Sequence, residues 1–224
     1  MASFVVVHGA WGGGWEWRDV ARLLQADGHE VSRVTLTGLG DRSHGVSENV
    51  NLDTHVEDVV RHLRFEGLRD VVLVGHSYGG MVVTGVADRV PERVAKLVYV
   101  DALVPRDGEA VFDLLPPDWG VAVRDAAVDG AVPPPPADDL HPAWYAARAR
   151  AHPLAAFTQP LRLAGRGDDI PRLYIRCLRS DLPLDRVLER VADWPSAEID
   201  THHDAHIGDA AGIARLLSSA GASS

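Results

Sequence analysis

Short apolar runs alternate along this chain with segments whose apolar residues recur every three to four positions. Phe4 to Val7, Val31 to Leu36, Val71 to Val74, Leu97 to Val100 and Leu173 to Ile175 read as strands, with Ala197 to Ile199 as a weaker sixth. Continuous apolar runs of this kind suit strands covered on both faces, as in parallel sheets. From Leu52 to Phe65, Leu52, Val56, Val59, Val60 and Leu63 form one stripe at helical period. Asp185 to Val191 and Ile213 to Leu217 also read as helices. The alternation predicts an α/β fold with about six mostly parallel strands and helices on both faces.

One stretch breaks the pattern. From Pro105 to Ile170 there is no convincing strand, and Pro133 to Pro136 fit neither a helix interior nor a central strand. Ala143 to Ala151 reads as a helical piece. Phe112, Trp119, Trp144, Tyr145 and Phe157 are too many large apolar groups for a solvated linker. The expectation is a core built from residues 1–104 and 171–224, with residues 105–170 inserted after the fourth strand as a short helical cap (a lid). The tail from Ser218 to Ser224 is small and polar, and should fray.

Composition narrows the partners. With 22 Lys and Arg against 32 Asp and Glu, the formal net charge is −10. Nucleic acid and anionic membrane surfaces are poor partners for such a chain. No apolar run approaches the roughly 20 residues of a membrane span. The single cysteine, Cys177, excludes an intrachain disulfide and is compatible with the cytoplasm. No secretory signal is visible at Met1 to Val5. A homodimer is left open.

The strongest chemical signal is Gly75-His76-Ser77-Tyr78-Gly79-Gly80, set between a strand and an apolar helix that begins near Met81. On such a turn the serine hydroxyl is exposed at the carboxyl edge of the sheet, where open α/β sheets bind ligands. The N–H of Tyr78 is then free to meet a developing oxyanion. A second Gly-rich loop, His8-Gly9-Ala10-Trp11-Gly12-Gly13-Gly14, follows the first strand. By position Ala10 supplies a second oxyanion donor, with Gly9 and Trp11 facing the substrate. The loop lacks the spacing of a phosphate or dinucleotide cradle, so no cofactor is expected. His8 is either a second polar group in the pocket or a residue that closes the strand.

A general base should follow the last strand, where His202, His203 and His206 compete. Clustered histidines also suit a metal, but no helical H-x-x-x-H or thiolate partner accompanies them, and none is expected. Two carboxylates stand at strand ends as candidate acids. Asp181 follows the fifth strand and is preferred. Asp101 ends the fourth strand and is the alternative.

Together these residues resemble the α/β-hydrolase family, and within it the plant methylesterases and hydroxynitrile lyases with their bacterial relatives. The resemblance rests on His8-Gly9-Ala10-Trp11 with Trp15 and Trp17, the turn at Gly75 to Gly80, Asp101-Ala102-Leu103-Val104-Pro105, and His203-Asp204-Ala205. It places the catalytic base at His203, with Ser77 as nucleophile. It implies a serine esterase acting on small to medium hydrophobic carboxylic esters through an acyl-enzyme. A non-hydrolytic binder, or a tailoring enzyme opening lactones, is the alternative.

Departures from the pattern carry information. Gly9 stands where the lyases have threonine, and Asp204 where they have the lysine that stabilises cyanide, which argues against lyase chemistry. The family places its acid three residues after the strand cysteine, and that position here is Ser180. Asp181 serves only if the loop shifts by one residue. The chain opens at what resembles the family's third strand, so six strands are expected rather than eight.

Overall fold

The computed structural model describes residues 1–45, 49–136, 141 and 143–222. Six strands form one sheet: β1 (Ser3–Val7), β2 (Glu30–Val34), β3 (Val71–His76), β4 (Val94–Val100), β7 (Arg172–Cys177) and β8 (Ser196–Ile199). Their order is β2-β1-β3-β4-β7-β8, and every neighbouring pair is parallel. Two inner strands, β1 and β3, are almost wholly buried, as their unbroken apolar runs require.

Helices cover both faces. On one side α1 (Arg18–Ala26) and α10 (Ala210–Ala222) pack against Phe4, Val6, Val72, Val74 and Val98. On the other, α2 (Leu52–Phe65), α3 (Gly79–Arg89) and α8 (Asp185–Arg190) enclose Val5, Leu73 and Tyr99. The predicted stripe of α2 is the face that is buried. Its start is a reciprocal cap: the Asn51 side chain accepts from Thr54 N–H at 3.0 Å, and the Thr54 hydroxyl faces Asn51 N at 3.3 Å.

Between β4 and β7 lie short elements: α4 (Val111–Leu114), α5 (Pro117–Ala126), a hairpin of β5 (Ala131–Val132) and β6 (His152–Pro153), α6 (Ala143–Ala146) and α7 (Leu154–Thr158). Helix α6 stops earlier than the pattern suggested. By Arg150 the chain has turned to donate its N–H to Trp11 C=O at 2.9 Å, and it enters the hairpin at His152. The expected fraying from Ser218 is corrected. Helix α10 continues through Ala222, with Leu217 and Ala220 buried against the sheet. Residues 223 and 224 lie outside the described residues. A last short helix, α9 (Ala205–Gly208), precedes α10.

The turn between β3 and α3 is built by close backbone packing. A Cβ at Gly80 would lie 2.0 Å from Leu103 C=O, backbone that cannot swing aside. Gly80→Ala should therefore destabilise the protein by about 3 kcal/mol, the upper part of the usual overpacking range. Urea unfolding checks this: the midpoint falls with an unchanged slope. A midpoint equal to the parent's would contradict it.

Candidate active site

Strand β3 ends at His76 and α3 begins at Gly79, so Ser77 and Tyr78 make the whole connection. Such a tight reversal forces Ser77 into the left-handed region, φ +51°. The strain is held from the side. Ser77 N–H donates to Val100 C=O at 3.3 Å, and Ser77 C=O accepts from Leu103 N–H at 3.0 Å. Ser77 is half-buried and borders a cavity of about 290 Å³ that also exposes Gly9, Ala10, Trp11 and His203. Among the described residues its hydroxyl makes no hydrogen bond, so it is free to rotate toward either substrate or base.

The loop after β1 comes close because it carries glycine. A Cβ at Gly9 would lie 3.1 Å from Ser77 Cβ and 2.9 Å from His76 Nδ1. The backbone N–H groups of Ala10 and Tyr78 have no hydrogen-bond partner among the described residues. Both residues border the cavity. The next residue, Trp11, is also left-handed, φ +63°. Three contacts from the inserted segment hold it. Its N–H donates to His152 Nδ1 at 3.3 Å, its C=O accepts from Arg150, and its indole donates to Val132 C=O at 3.0 Å. His152 is fully buried, stacked on Phe157 at 4.3 Å and edge-on to Tyr78. Burial holds its pKa well below the ordinary histidine value, so it stays a neutral acceptor. His8 closes the strand: it accepts from Leu36 N–H and bonds Gly9 C=O at 2.7 Å.

His203 follows β8 and faces the same cavity. Its Nδ1 bonds Asp101 Oδ2 at 2.7 Å. That oxygen also accepts from the Ser180 hydroxyl at 2.5 Å, and Oδ1 accepts from Cys177 N–H at 3.2 Å. Burial alone would raise the Asp101 pKa, but hydrogen bonds from His203, Ser180 and Cys177 outweigh it and lower it. For His203 burial works against the proton. The hydrogen bond to Asp101 and the charges of Asp204 and Asp101 prevail, and its pKa is raised. With Nδ1–H committed to a carboxylate, Nε2 is the nitrogen left to accept a proton.

Asp181, preferred from the sequence, borders the cavity but is exposed, and among the described residues it makes no hydrogen bond to His203. It acts on the ring through charge alone. The physical difference is enclosure. Asp101 is 1% exposed and fixed by three donors, whereas the loop did not shift to bring Asp181 inward. Ser180, at the position the resemblance gave to the acid, instead donates to Asp101.

Beyond His203 the cavity has a polar end that sequence reading missed. Glu16, Asp204 and Tyr145 are buried there beside His76 and His141. Asp204 Oδ2 bonds His141 Nε2 at 2.9 Å. His206 lies flat on fully buried Trp17, 4.6 Å away. Among the described residues, His76, Asp204 and His206 place donor atoms within 4.8 Å of one another, a spacing that could hold a metal ion. His76 Nε2, however, also meets the His203 carbonyl at 3.1 Å. Trp15 is half-buried against Trp144 and Tyr145.

Comparison with known proteins gives the family. A model of the Alpha/beta hydrolase family matches residues 4–216. The chain belongs to the alpha/beta hydrolase family. It is 44% identical over 192 residues to a "Carbendazim hydrolyzing esterase" of Nocardioides sp. (strain SG-4G), covering 78% of this chain and 79% of that one. Methylesterase 7 of Arabidopsis thaliana is 36% identical over 105 residues, 46% of this chain and 40% of its own. Among solved structures, an extracellular alpha/beta-hydrolase from a Paenibacillus species superposes with a TM-score of 0.88 at 24% identity, covering 99% of both chains. MES16, a methylesterase of Arabidopsis, gives 0.74 at 24% identity over 98% of both. At those identities the structures speak for the fold.

The His203–Asp101 contact predicts a titration. By NMR, the His203 ring should titrate above the ordinary value of 6.5. Asp101→Asn should lower that midpoint, and Asp181→Asn should lower it less. Equal effects of the two variants would contradict the assigned geometry.

Proposed function

We propose that this chain is a serine esterase that cleaves small to medium carboxylic esters through an acyl-enzyme, with Ser77 as nucleophile, His203 as base and Asp101 as the orienting acid. The observation that carries the reading is the His203 Nδ1 to Asp101 Oδ2 hydrogen bond of 2.7 Å beside a left-handed, cavity-facing Ser77. The mainly esterase names of its relatives support it.

Ser77 Oγ attacks the ester carbonyl carbon while His203 Nε2 takes its proton. The tetrahedral oxyanion accepts hydrogen bonds from the free N–H groups of Ala10 and Tyr78. The carbon–oxygen bond to the alcohol breaks, and His203 returns the proton to the departing alkoxide. Water, deprotonated by His203, then attacks the acyl-enzyme. The carboxylic acid leaves, and the proton goes back to Ser77. Asp101 keeps its negative charge throughout and fixes the tautomer that leaves Nε2 basic.

Trp11, Trp119 and Phe157 give one side of the cavity an aromatic wall suited to apolar acyl or alkyl groups. The described residues between β4 and β7 supply much of it and act as the cap. The single cysteine is buried and unpaired, which suits a cytoplasmic protein. Among the described residues no helix is long and apolar enough to cross a membrane.

Three outcomes follow. Ser77→Ala should reduce turnover of 4-nitrophenyl acetate by at least about 10⁴-fold while the unfolding midpoint holds; undiminished turnover would exclude the mechanism. Because the base must be neutral, kcat/KM should rise with pH through the elevated His203 titration and level off above it. A rate that falls over the same range would contradict the role of His203. His152→Phe keeps the ring contacts but removes the acceptor that holds Trp11. It should lower kcat about tenfold with KM within about twofold, since a misplaced oxyanion donor acts mainly on the transition state. A change confined to KM would place His152 in ground-state binding instead.

A further inference from the structure

We propose that a second pocket, apart from the cavity at Ser77, binds a small aromatic carboxylate. The pocket lies between the segment that joins β4 to β7 and the rest of the fold. Its binding chemistry stands without the esterase reading.

The pocket encloses about 190 Å³ and is bordered by Trp15, Arg18, Arg33, Trp144 and Arg148. None of these five borders the cavity at Ser77. They come together from distant parts of the chain. Trp15 lies in the turn Gly14–Trp17, Arg18 opens α1 and Arg33 sits in β2. Trp144 belongs to α6, and Arg148 follows that helix. Trp15 is also part of a sequence motif for which the ester chemistry has no use.

The two indoles select a flat ring. Trp15 is half-buried, whereas Trp144 is 45% exposed, a large apolar surface to leave in water. Their ring centroids are 5.9 Å apart and their planes meet at 82°. Tyr145 packs on Trp15 at 5.4 Å. A Cβ at Gly13 would lie 2.7 Å from Trp15 Nε1, so the glycine is what admits this indole. Two indoles at nearly a right angle form a corner. One aromatic ring can stack on the first and meet the second edge-on.

The arginines select the sign. Every charged residue that borders the pocket is an arginine, in a chain whose formal net charge is −10. Arg33 donates one guanidinium N–H to Gly14 C=O at 3.2 Å, and Arg148 donates one to Trp144 C=O at 2.6 Å. These carbonyls fix the side chains without neutralising them. Among the described residues neither guanidinium meets a carboxylate. Arg18 meets the adjacent Asp19 at 3.4 Å, but both side chains are mostly exposed, and such a pair is weak in water. Each guanidinium carries five N–H donors, so several remain to be used. Their fork fits the two oxygens of a carboxylate. A bare inorganic anion would leave the indole corner unfilled. A neutral aromatic would leave the arginine donors unpaired. An aromatic carboxylate satisfies both.

Heteronuclear NMR of the six tryptophan indoles, assigned by single Trp→Phe variants, tests the pocket. The probes are benzoate, acetate and benzyl alcohol. Benzoate should shift the Trp15 and Trp144 signals and bind roughly tenfold more tightly than either acetate or benzyl alcohol, the weight of a charge-assisted contact joined to a stacked ring. Arg33→Gln and Arg148→Gln should each weaken benzoate by about fivefold or more and leave benzyl alcohol within about twofold. Shifts confined to Trp11 and Trp119, which border the cavity at Ser77, would place benzoate there and overturn the second pocket. Equal affinity for benzyl alcohol, an affinity for benzoate unchanged in both arginine variants, or no shift at millimolar benzoate would also overturn it. If benzoate binds at Trp15 and Trp144 while 4-nitrophenyl acetate is not cleaved, the esterase reading fails and the pocket stands.

Discussion

The parallel register of β3 against β4 is the constraint on which the site depends. His76 pairs with Val100, so the next residue of each strand, Ser77 and Asp101, leaves the sheet at the same level on neighbouring strands. Both turn into the left-handed region, with φ of +51° and +44°. Backbone bonds tie the two turns together, from Ser77 to Val100 and from Leu103 to Ser77, and Asp101 N–H is anchored on Ile175. Ser77 and Asp101 are thus spaced by the sheet itself. His203, on the loop after β8, has only to reach across β7 to Asp101. Strain of this kind persists because the surrounding ladder over-determines it, and the glycines after Ser77 let α3 pack close enough to hold it.

The segment between β4 and β7 both lines the cavity and braces a neighbouring loop. It fixes Trp11 through His152, Arg150 and Val132, so the loop after β1 is braced by residues well over a hundred positions away. The buried histidines serve as polar mortar. His55 joins the Tyr78 hydroxyl at 2.8 Å to Thr37 C=O, and burial lowers its pKa to about 4. Neutral imidazoles can both donate and accept, which suits them to brace loops in a dry interior without adding charge.

What could be read from the chain beforehand was whatever depends on local chemistry. The six strands, the α2 stripe, the Ser77 turn and the Ala10 loop are each written in contiguous residues. The carboxylate that bonds His203 was not. Asp101 and Asp181 both follow strands, and what separates them is burial and the donors Ser180 and Cys177, contacts set only when β4 and β7 pair. Glu16 was likewise invisible: in a Gly- and Trp-rich stretch it looks like an ordinary surface acid, and only the approach of Tyr145 and Asp204 encloses it. The small polar tail looked frayed because its residues lack bulk, yet Leu217 and Ala220 give α10 a buried edge.

The central claim is that one hydroxyl, on the strained turn after β3, carries the acyl group. Labelling with a fluorophosphonate, followed by mass-spectrometric peptide mapping, addresses it directly. A single adduct is expected on the peptide containing Ser77, formed in step with loss of ester turnover and delayed by added substrate. An adduct on a different residue, or full turnover by a protein already modified at Ser77, would contradict it.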